Sequence, residues 1–309
     1  MGPLVIEDLA VVIRRALLIV NPASRRGARH LGRVEQAFAA RDVEVDTRLT
    51  RAPGDAATMT RDLGADYDAV FTLGGDGTIM EALGGLAGSG IPLGALAGGT
   101  GNLLVRAMGI PLNPVRAVGA LCDGRVREID LAVLGLGGHF AVAAGFGIDV
   151  AMLERTPAWL KRHLGVAAYV LAGASAAIGA AVRGDTFRAR ISVDGEEHDV
   201  EALSLLVANV GTVLDGWITI APGARPDDGA LDVAVYAPRN LAQALRVSWR
   251  MLRGRFPDDG LTRFYRGRHV RVSPESPRRA EADGELLPPG ALDAQAMAGS
   301  GHLLVPAPA

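Results

Sequence analysis

Asp76 stands in the run Leu73-Gly74-Gly75-Asp76-Gly77-Thr78, a single carboxylate among three glycines. Glycine has no Cβ, so its backbone can take positive φ and come close to a ligand. Successive N–H groups in such a turn can converge on an anion. The chemistry this suggests is phosphate handling; the alternative is an ordinary glycine-rich turn with a solvated Asp. A second loop, Gly98-Gly99-Thr100-Gly101-Asn102, follows further along. Its Thr100 and Asn102 carry hydroxyl and amide groups suited to phosphate or ribose oxygens, and both residue types are also common helix caps.

Such loops need rigid elements on either side. Residues 69–73 read as a buried strand, and Ile79, Met80, Ala82, Leu83 and Leu86 recur at helical spacing after the loop. Residues 91–96 and 103–108 repeat the arrangement around the second loop. A loop between a strand end and a helix N-terminus lies in partial positive charge that favours phosphate. Neighbouring parallel strands end on the same side, so both loops can reach one ligand. Neither loop is GxxxxGK[ST], and no GxGxxG follows the first strand.

The wider pattern predicts strands at 16–20, 43–50, 68–73 and 92–96, alternating with helices at 29–41, 54–64, 78–88 and 102–108. That alternation argues for an α/β N-terminal domain with a parallel sheet and flanking helices. Past residue 130, shorter β-rich runs take over at 128–133, 139–144, 186–193, 198–209, 231–236, 269–272 and 279–282. Asp194-Gly195 and Asp283-Gly284 suit hairpin turns between them. The expected C-terminal domain is mainly a β-sandwich.

Asn21-Pro22 after the first strand, Gly-Gly-Asp-Gly-Thr and Gly-Thr-Gly-Asn occur here in the order found in the diacylglycerol kinase catalytic-domain family. That family holds bacterial lipid kinases, sphingosine kinases and ceramide kinases, and NAD kinase is a more distant relative. The resemblance continues through Ala144-Gly145-Phe146-Gly147-Ile148-Asp149, a Lys-x-x-Gly-x-x-x-Tyr segment from Lys161 to Tyr169, and Ala221-Pro222-Gly223-Ala224. Asp227-Asp228-Gly229-Ala230-Leu231-Asp232 and Asp283-Gly284-Glu285 complete it. Each motif is weak alone, and the ordered set is specific.

The resemblance implies a two-domain NAD kinase/diacylglycerol kinase-like fold. Residues 15–129 would be the nucleotide-binding domain and 130–298 the lipid or substrate domain, with a C-terminal strand at 299–309 returning to the first domain. It implies ATP and Mg2+ as cofactors. Asn21, Ser24 and Thr50 would lie near the nucleotide, with Gly74, Gly75, Asp76, Gly77, Thr78 and Glu81 around its phosphates. Gly99, Thr100, Gly101 and Asn102 would complete that surround. Asp228, with the carbonyls of Arg225 and Ala230, resembles a structural Mg2+ site, and hard cations do take oxygen ligands. Lys161 would be an electrostatic partner for the carboxylates.

Transfer of a γ-phosphoryl group to an alcohol asks for in-line positioning, charge neutralisation and a proton acceptor. By resemblance Asp283 and Glu285 belong to the catalytic centre across an interdomain cleft; either could accept the proton, and Glu285 is the favoured base with Asp283 close by. Asp76 could hold Mg2+ through water or orient the alcohol. Two positions depart from the family pattern. Leu103 stands where several bacterial members carry Asp, and Met80 replaces a usual Asn, although Glu81 is kept.

Composition sets limits. A chain of 309 residues can hold two cores. A formal charge of −2 provides no global basic field for nucleic acid. The single cysteine, Cys122, cannot form an internal disulfide, which fits a reducing cytoplasm. No histidine and cysteine cluster suggests zinc. Residues 1–15 lack a charged region ahead of an apolar core, so they do not read as a secretory signal; Leu4, Val5, Leu9, Val12 and Ile13 suggest a short amphipathic element.

Residues 164–182 carry no formal charge and approach a membrane span in length. Their Ala and Gly content favours a buried helix whose apolar face could border a lipid-entry cleft. In residues 241–256, Leu241, Leu245, Trp249 and Leu252 recur at helical spacing beside arginines. That is either an ordinary core stripe under a basic face or a surface attracted to anionic membrane.

The leading expectation is an ATP-dependent lipid kinase acting on a hydroxyl of a membrane-presented lipid, cytoplasmic or peripheral at the inner face of the membrane. A homodimer is compatible with it. The alternatives are a soluble-substrate kinase of NAD kinase type, whose Asn-Glu dipeptide after the second loop is absent here, and a catalytically silent nucleotide- or lipid-binding protein.

Overall fold

The computed structural model describes residues 12–24, 27–147, 184–213 and 216–307. The chain divides into two units, Met1–Ile129 with Gly299–Ala309, and Asp130–Ala298. The first unit is built from β1 (Arg15–Val20), α1 (Gly27–Ala39), β2 (Glu44–Leu49), α2 (Asp55–Leu63), β3 (Ala69–Gly74), α3 (Asp76–Gly85), β4 (Leu93–Ala97), α4 (Leu103–Ala107) and α5 (Pro114–Cys122). Continuous apolar runs become strands buried on both faces, as expected when helices cover a parallel sheet: β3 and β4 are buried throughout, and β1 is buried after Arg15. The outer strand β2 is more exposed.

These four strands run parallel in the order β2-β1-β3-β4. The chain moves to one side of β1 and then to the other, so β1 and β3 flank a topological switch point where loops at the carboxyl ends open a crevice. On the sheet, α1 pairs with α5 and α2 with α3. Phe38 of α1 meets Phe71 of β3 edge-on, with ring centroids 4.8 Å apart. Gly85 lets α2 and α3 approach, since a Cβ there would lie 2.4 Å from the Ala57 carbonyl oxygen.

Sequence periodicity did not reveal α5. Its start is marked by Asn113, whose Oδ1 accepts N–H groups from Val115 at 3.0 Å and Arg116 at 3.2 Å, and by Pro114 at the first helical position. Asn followed by Pro was therefore a readable signal for a capped helix.

From the end of the first unit into the second run β5 (Arg125–Leu134), β6 (His139–Phe140), β7 (Ala143–Phe146), β8 (Phe187–Val193), β9 (Glu196–Ala202), β10 (Ser204–Ala208), β11 (Thr212–Val213), β12 (Ile218–Thr219) and β13 (Leu231–Tyr236). Then come α6 (Leu241–Arg253), β14 (Thr262–Gly267), β15 (His269–Pro274), β16 (Arg279–Ala282), β17 (Glu285–Pro289) and β18 (Leu292–Val305). Within the second unit, β18-β15-β8-β9 form one antiparallel sheet and β14-β13-β10-β7-β16-β17 another. Phe140, Phe146, Phe187, Ile191, Leu205, Val233 and Val272 belong to the core of this β-sandwich. In β8 the buried residues Phe187, Ala189, Ile191 and Val193 alternate with more exposed ones, the period-2 pattern of a strand with one face in the core.

Several boundaries differ from the sequence expectation. Residues 198–209 are two strands: β9 belongs to one sheet and β10 to the other, and the chain passes between them at Leu203, whose N–H donates to the Tyr236 carbonyl. Residues 139–144 divide into β6 and β7. β14 and β17 were not anticipated; exposed side chains and Pro288-Pro289 hide β17. The last strand begins ahead of the expected 299–309, at Leu292, and Leu303 pairs in parallel with Leu93 inside the first unit. Leu241, Leu245, Trp249 and Leu252 are exposed, so they are not a core stripe; Ala244, Val247 and Arg250 are the buried positions of α6.

Residues 1–11, Ile148, Asp149, Lys161 and the 164–182 segment lie outside the described residues. Among the described residues, no helix is long and apolar enough to cross a membrane.

Candidate functional site

The neighbouring parallel strands β3 and β4 end on the same side and bring the two glycine loops together. Gly98 donates its N–H to the Gly74 carbonyl at 2.7 Å. A Cβ on Gly99 would stand 2.7 Å from Gly75 Cα, and one on Gly101 would stand 2.9 Å from Asp76 Oδ2. Glycine is thus required here for close approach of two backbones, a reason separate from any ligand. Asp76 opens α3, and its carboxylate accepts N–H groups from Asn102 at 2.7 Å and Leu103 at 2.5 Å. The carboxylate of the first loop therefore caps the start of α4 and braces the second loop.

Asn102 is 4% exposed and takes φ 50°, a left-handed conformation that Asn tolerates better than most residues. Its Oδ1 accepts the Gly99 N–H at 3.0 Å and its Nδ2 donates to the Gly99 carbonyl at 3.2 Å. The side chain closes its own loop, and Thr100 is exposed at the tip.

Asn21 ties the first strand into the same corner. Its backbone N–H donates to the Leu73 carbonyl at 3.1 Å and its Nδ2 donates to Thr78 Oγ1 at 3.1 Å. Ser24 donates its N–H to the Asn21 carbonyl, and Thr50 donates its N–H to the Val20 carbonyl at 2.9 Å. Glu81 reaches from α3 to the N–H groups of Gly54 at 2.8 Å and Ala56 at 3.3 Å, capping α2. In α3 the first intrahelical bond runs from Ile79 N–H to the Gly75 carbonyl. The N–H groups of Asp76, Gly77 and Thr78 therefore precede the helical ladder, as at any helix start. Helix dipole and backbone donors at this position suit a phosphate. Asn21, Thr50, Gly74 to Thr78 and Gly99 to Asn102 are thus gathered at one sheet edge.

In the second unit, Asp283 and Gly284 form a two-residue turn between β16 and β17 with φ 46° and 89°. Both angles positive is the type I′ hairpin geometry that Asp-Gly favours. Asp283 is 4% exposed. Its carboxylate accepts N–H groups from Ala141 at 2.8 Å, Val142 at 3.1 Å and Ala143 at 2.9 Å. These donors lie where β6 gives way to β7, which accounts for the break in that run. Glu285 is exposed on β17.

Sequence reasoning missed three buried polar groups. Asn209 is fully buried, and its Nδ2 donates to the carbonyls of Asp130 at 2.8 Å and Ala141 at 3.0 Å. Asp130 Oδ2 accepts the Gly229 N–H at 2.6 Å. A continuous polar network thus joins the Asp283 turn to the loop that carries Asp228. Glu281 is 8% exposed and accepts the Gly284 N–H at 2.8 Å, bracing the same turn.

Asp228 is held by an ion pair to Arg266 and accepts the Ala230 N–H at 3.2 Å. Asp232 pairs with Arg266 across β13 and β14. Burial pushes its carboxyl above the usual range, opposed by Arg266 and reinforced by Asp228. Its Oδ2 is buried without a hydrogen-bond partner. Among the described residues no three His, Cys, Asp or Glu are grouped to hold a metal. The Arg266 guanidinium supplies the positive charge beside Asp228 and Asp232, so the contacts at this loop are those of an ion pair and a turn.

Residues 15–134 match the diacylglycerol kinase catalytic domain. Residues 142–305 match the YegS C-terminal NAD kinase beta sandwich-like domain. The chain is 31% identical to a diacylglycerol kinase of Bacillus subtilis over 88% of its own length and 90% of that protein's. It is 32% identical to a Pseudomonas fluorescens protein named "Probable lipid kinase YegS-like", covering 89% of each. A crystal structure of a diacylglycerol kinase from Bacillus anthracis shares the fold, with TM-score 0.71 and 23% identity over 95% of this chain and 97% of that one. Two glycine loops meeting at the carboxyl ends of neighbouring parallel strands, an antiparallel β-sandwich and these matches together place the chain in the diacylglycerol kinase catalytic-domain family of bacterial lipid kinases, with a YegS-type C-terminal domain.

Proposed function

We propose that this protein transfers the γ-phosphoryl group of ATP to the hydroxyl of a membrane lipid of diacylglycerol-like or sphingoid type, at the cytoplasmic face of the membrane. The observation that carries the reading is the corner where Gly74 to Thr78 and Gly99 to Asn102 are locked together by Asp76 and Asn102. Family membership implies ATP use. In this reading the N–H groups at the start of α3 bind the nucleotide phosphates, and Asn21 and Thr78 fix the end of β1 against that helix. Mg2+, when bound, neutralises phosphate charge during transfer. Glu285 accepts the hydroxyl proton, and Asp283 positions the turn that presents it, its own acceptor sites being turned to backbone N–H groups.

The test is incubation of purified protein with labelled ATP, Mg2+, mixed micelles of diacylglycerol, sphingoid base or ceramide, and NAD. Label in a lipid supports the reading. Label confined to NAD would replace it with a soluble-substrate kinase, and absence of transfer to any acceptor would favour a silent binding protein.

A further inference from the structure

α6 is built with its large apolar side chains on the wrong side for a core helix. The residues it buries are small or paired: Ala244 and Val247 are 1% and 5% exposed, and Arg250 is held by Asp259. On the opposite side Leu241, Leu245, Trp249 and Leu252 are 43%, 51%, 57% and 46% exposed. Their spacing of four, four and three residues lines them along one stripe of a helix with 3.6 residues per turn. Single exposed leucines are ordinary; four large apolar side chains in one stripe mark an interaction surface. Trp217, 72% exposed, immediately precedes β12, the strand on which α6 packs.

The charges beside the stripe select its partner. Residues 239–256 contain Arg239, Arg246, Arg250, Arg253 and Arg255 and no Asp or Glu. Two acidic groups face this region from elsewhere. Asp259 is bonded to Arg250 and lies 4.0 Å from Arg246, and Glu201 lies 3.7 Å from Arg239. Arg253 stacks over the Trp249 ring at 4.6 Å. A Trp and leucine stripe edged by arginines matches a bilayer interface: aromatic rings lie at headgroup depth, apolar side chains insert below, and guanidinium groups meet lipid phosphates.

We propose that the exposed face of α6 docks the protein onto an anionic lipid bilayer. Binding through this face is independent of the phosphoryl-transfer reading, because it needs neither ATP nor an acceptor lipid. A neutral surface would satisfy the leucines and offer no anionic group to the exposed Arg253 and Arg255, so the face discriminates by surface charge.

Co-sedimentation with vesicles of phosphatidylcholine, with or without phosphatidylglycerol and without ATP, tests this. The wild-type protein should bind the anionic vesicles, bind the zwitterionic ones far less, and lose binding as salt rises. The double variant Leu245→Ser/Trp249→Ser should need roughly tenfold or more lipid for half-binding. Arg246→Glu/Arg253→Glu should lose the preference for phosphatidylglycerol, and both variants should keep the wild-type circular dichroism spectrum. Equal binding to the two vesicle types, absence of binding to either, or wild-type binding by Leu245→Ser/Trp249→Ser would overturn the proposal. So would a wild-type dimer that this variant converts to monomer while vesicle binding is unchanged, since the face would then be an interface between copies.

Discussion

Asp76 accepts the backbone N–H of Leu103 at 2.5 Å, so the first glycine loop grips the second through a main-chain contact that does not depend on the side chain at position 103. The loop pairing tolerates any non-proline side chain at position 103, because only its N–H is used. Asp76 consequently has a structural duty in addition to any part in handling phosphate.

Replacing Asp76 by Asn should separate these duties. The amide keeps one acceptor oxygen but turns an NH2 group toward the Asn102 or Leu103 N–H, leaving one donor unpaired. Losing a charged acceptor from a part-buried pair costs about 1–3 kcal/mol. The expected result is a lower melting temperature together with turnover reduced by orders of magnitude. Thermal unfolding and labelled-ATP transfer, measured on the same preparation, decide it: turnover within twofold of wild type at a lowered melting temperature would leave Asp76 as a brace alone.

Gly99→Ala tests the loop contact without changing charge. The added Cβ would stand 2.7 Å from Gly75 Cα, and a backbone atom cannot swing aside as a side chain can. Forcing a methyl group into such a contact costs about 1–3 kcal/mol. Stability should fall, and nucleotide affinity, measured by calorimetry, should fall with it. Gly32→Ala, where a Cβ would meet nothing within 4 Å, is the control and should leave affinity unchanged.

Asp283 and Glu285 sit on either side of Gly284 yet should fail in different ways. Asp283→Ala leaves the N–H groups of Ala141, Val142 and Ala143 without their acceptor, so the second unit should lose stability by several kcal/mol as an order of magnitude. Glu285→Gln changes an exposed side chain and should leave the melting temperature within error while lowering turnover sharply. Chemical unfolding of both variants alongside phosphoryl transfer checks the contrast. Full activity in Glu285→Gln would remove it as the proton acceptor.

The parts of this fold that were legible in the sequence share a physical cause. Residues 16–20, 69–73 and 93–97 lie in strands covered on both faces, so their apolar runs are continuous, and Asp283-Gly284 announces a hairpin through its preference for positive φ. Partners of buried and part-buried carboxylates leave no such trace. Asp283 is satisfied by N–H groups far away in the chain, and Asp76 by residues of the neighbouring loop, contacts that neither periodicity nor turn chemistry encodes. α6 shows the same limit in another form: spacing reveals that Leu241, Leu245 and Trp249 share a face, while the fold alone decides that Ala244 and Val247 turn inward.

Cys122 ends α5, and burial pushes its thiol up to about 11, with Arg41 opposing and Asp123 adding to the shift. The neutral thiol is the form the fold favours. Its contribution to stability is therefore present below the ordinary cysteine pKa, about 8.5, and is lost as pH climbs toward the folded value. Because the thiolate is the reactive species, alkylation at pH 8 should be on the order of a hundredfold slower in the native protein than after unfolding. Timed iodoacetamide labelling read by intact mass, with and without denaturant, measures the ratio. Equal rates would show that the end of α5 opens to solvent in the native state, contradicting the packing of α5 against α1 and β4.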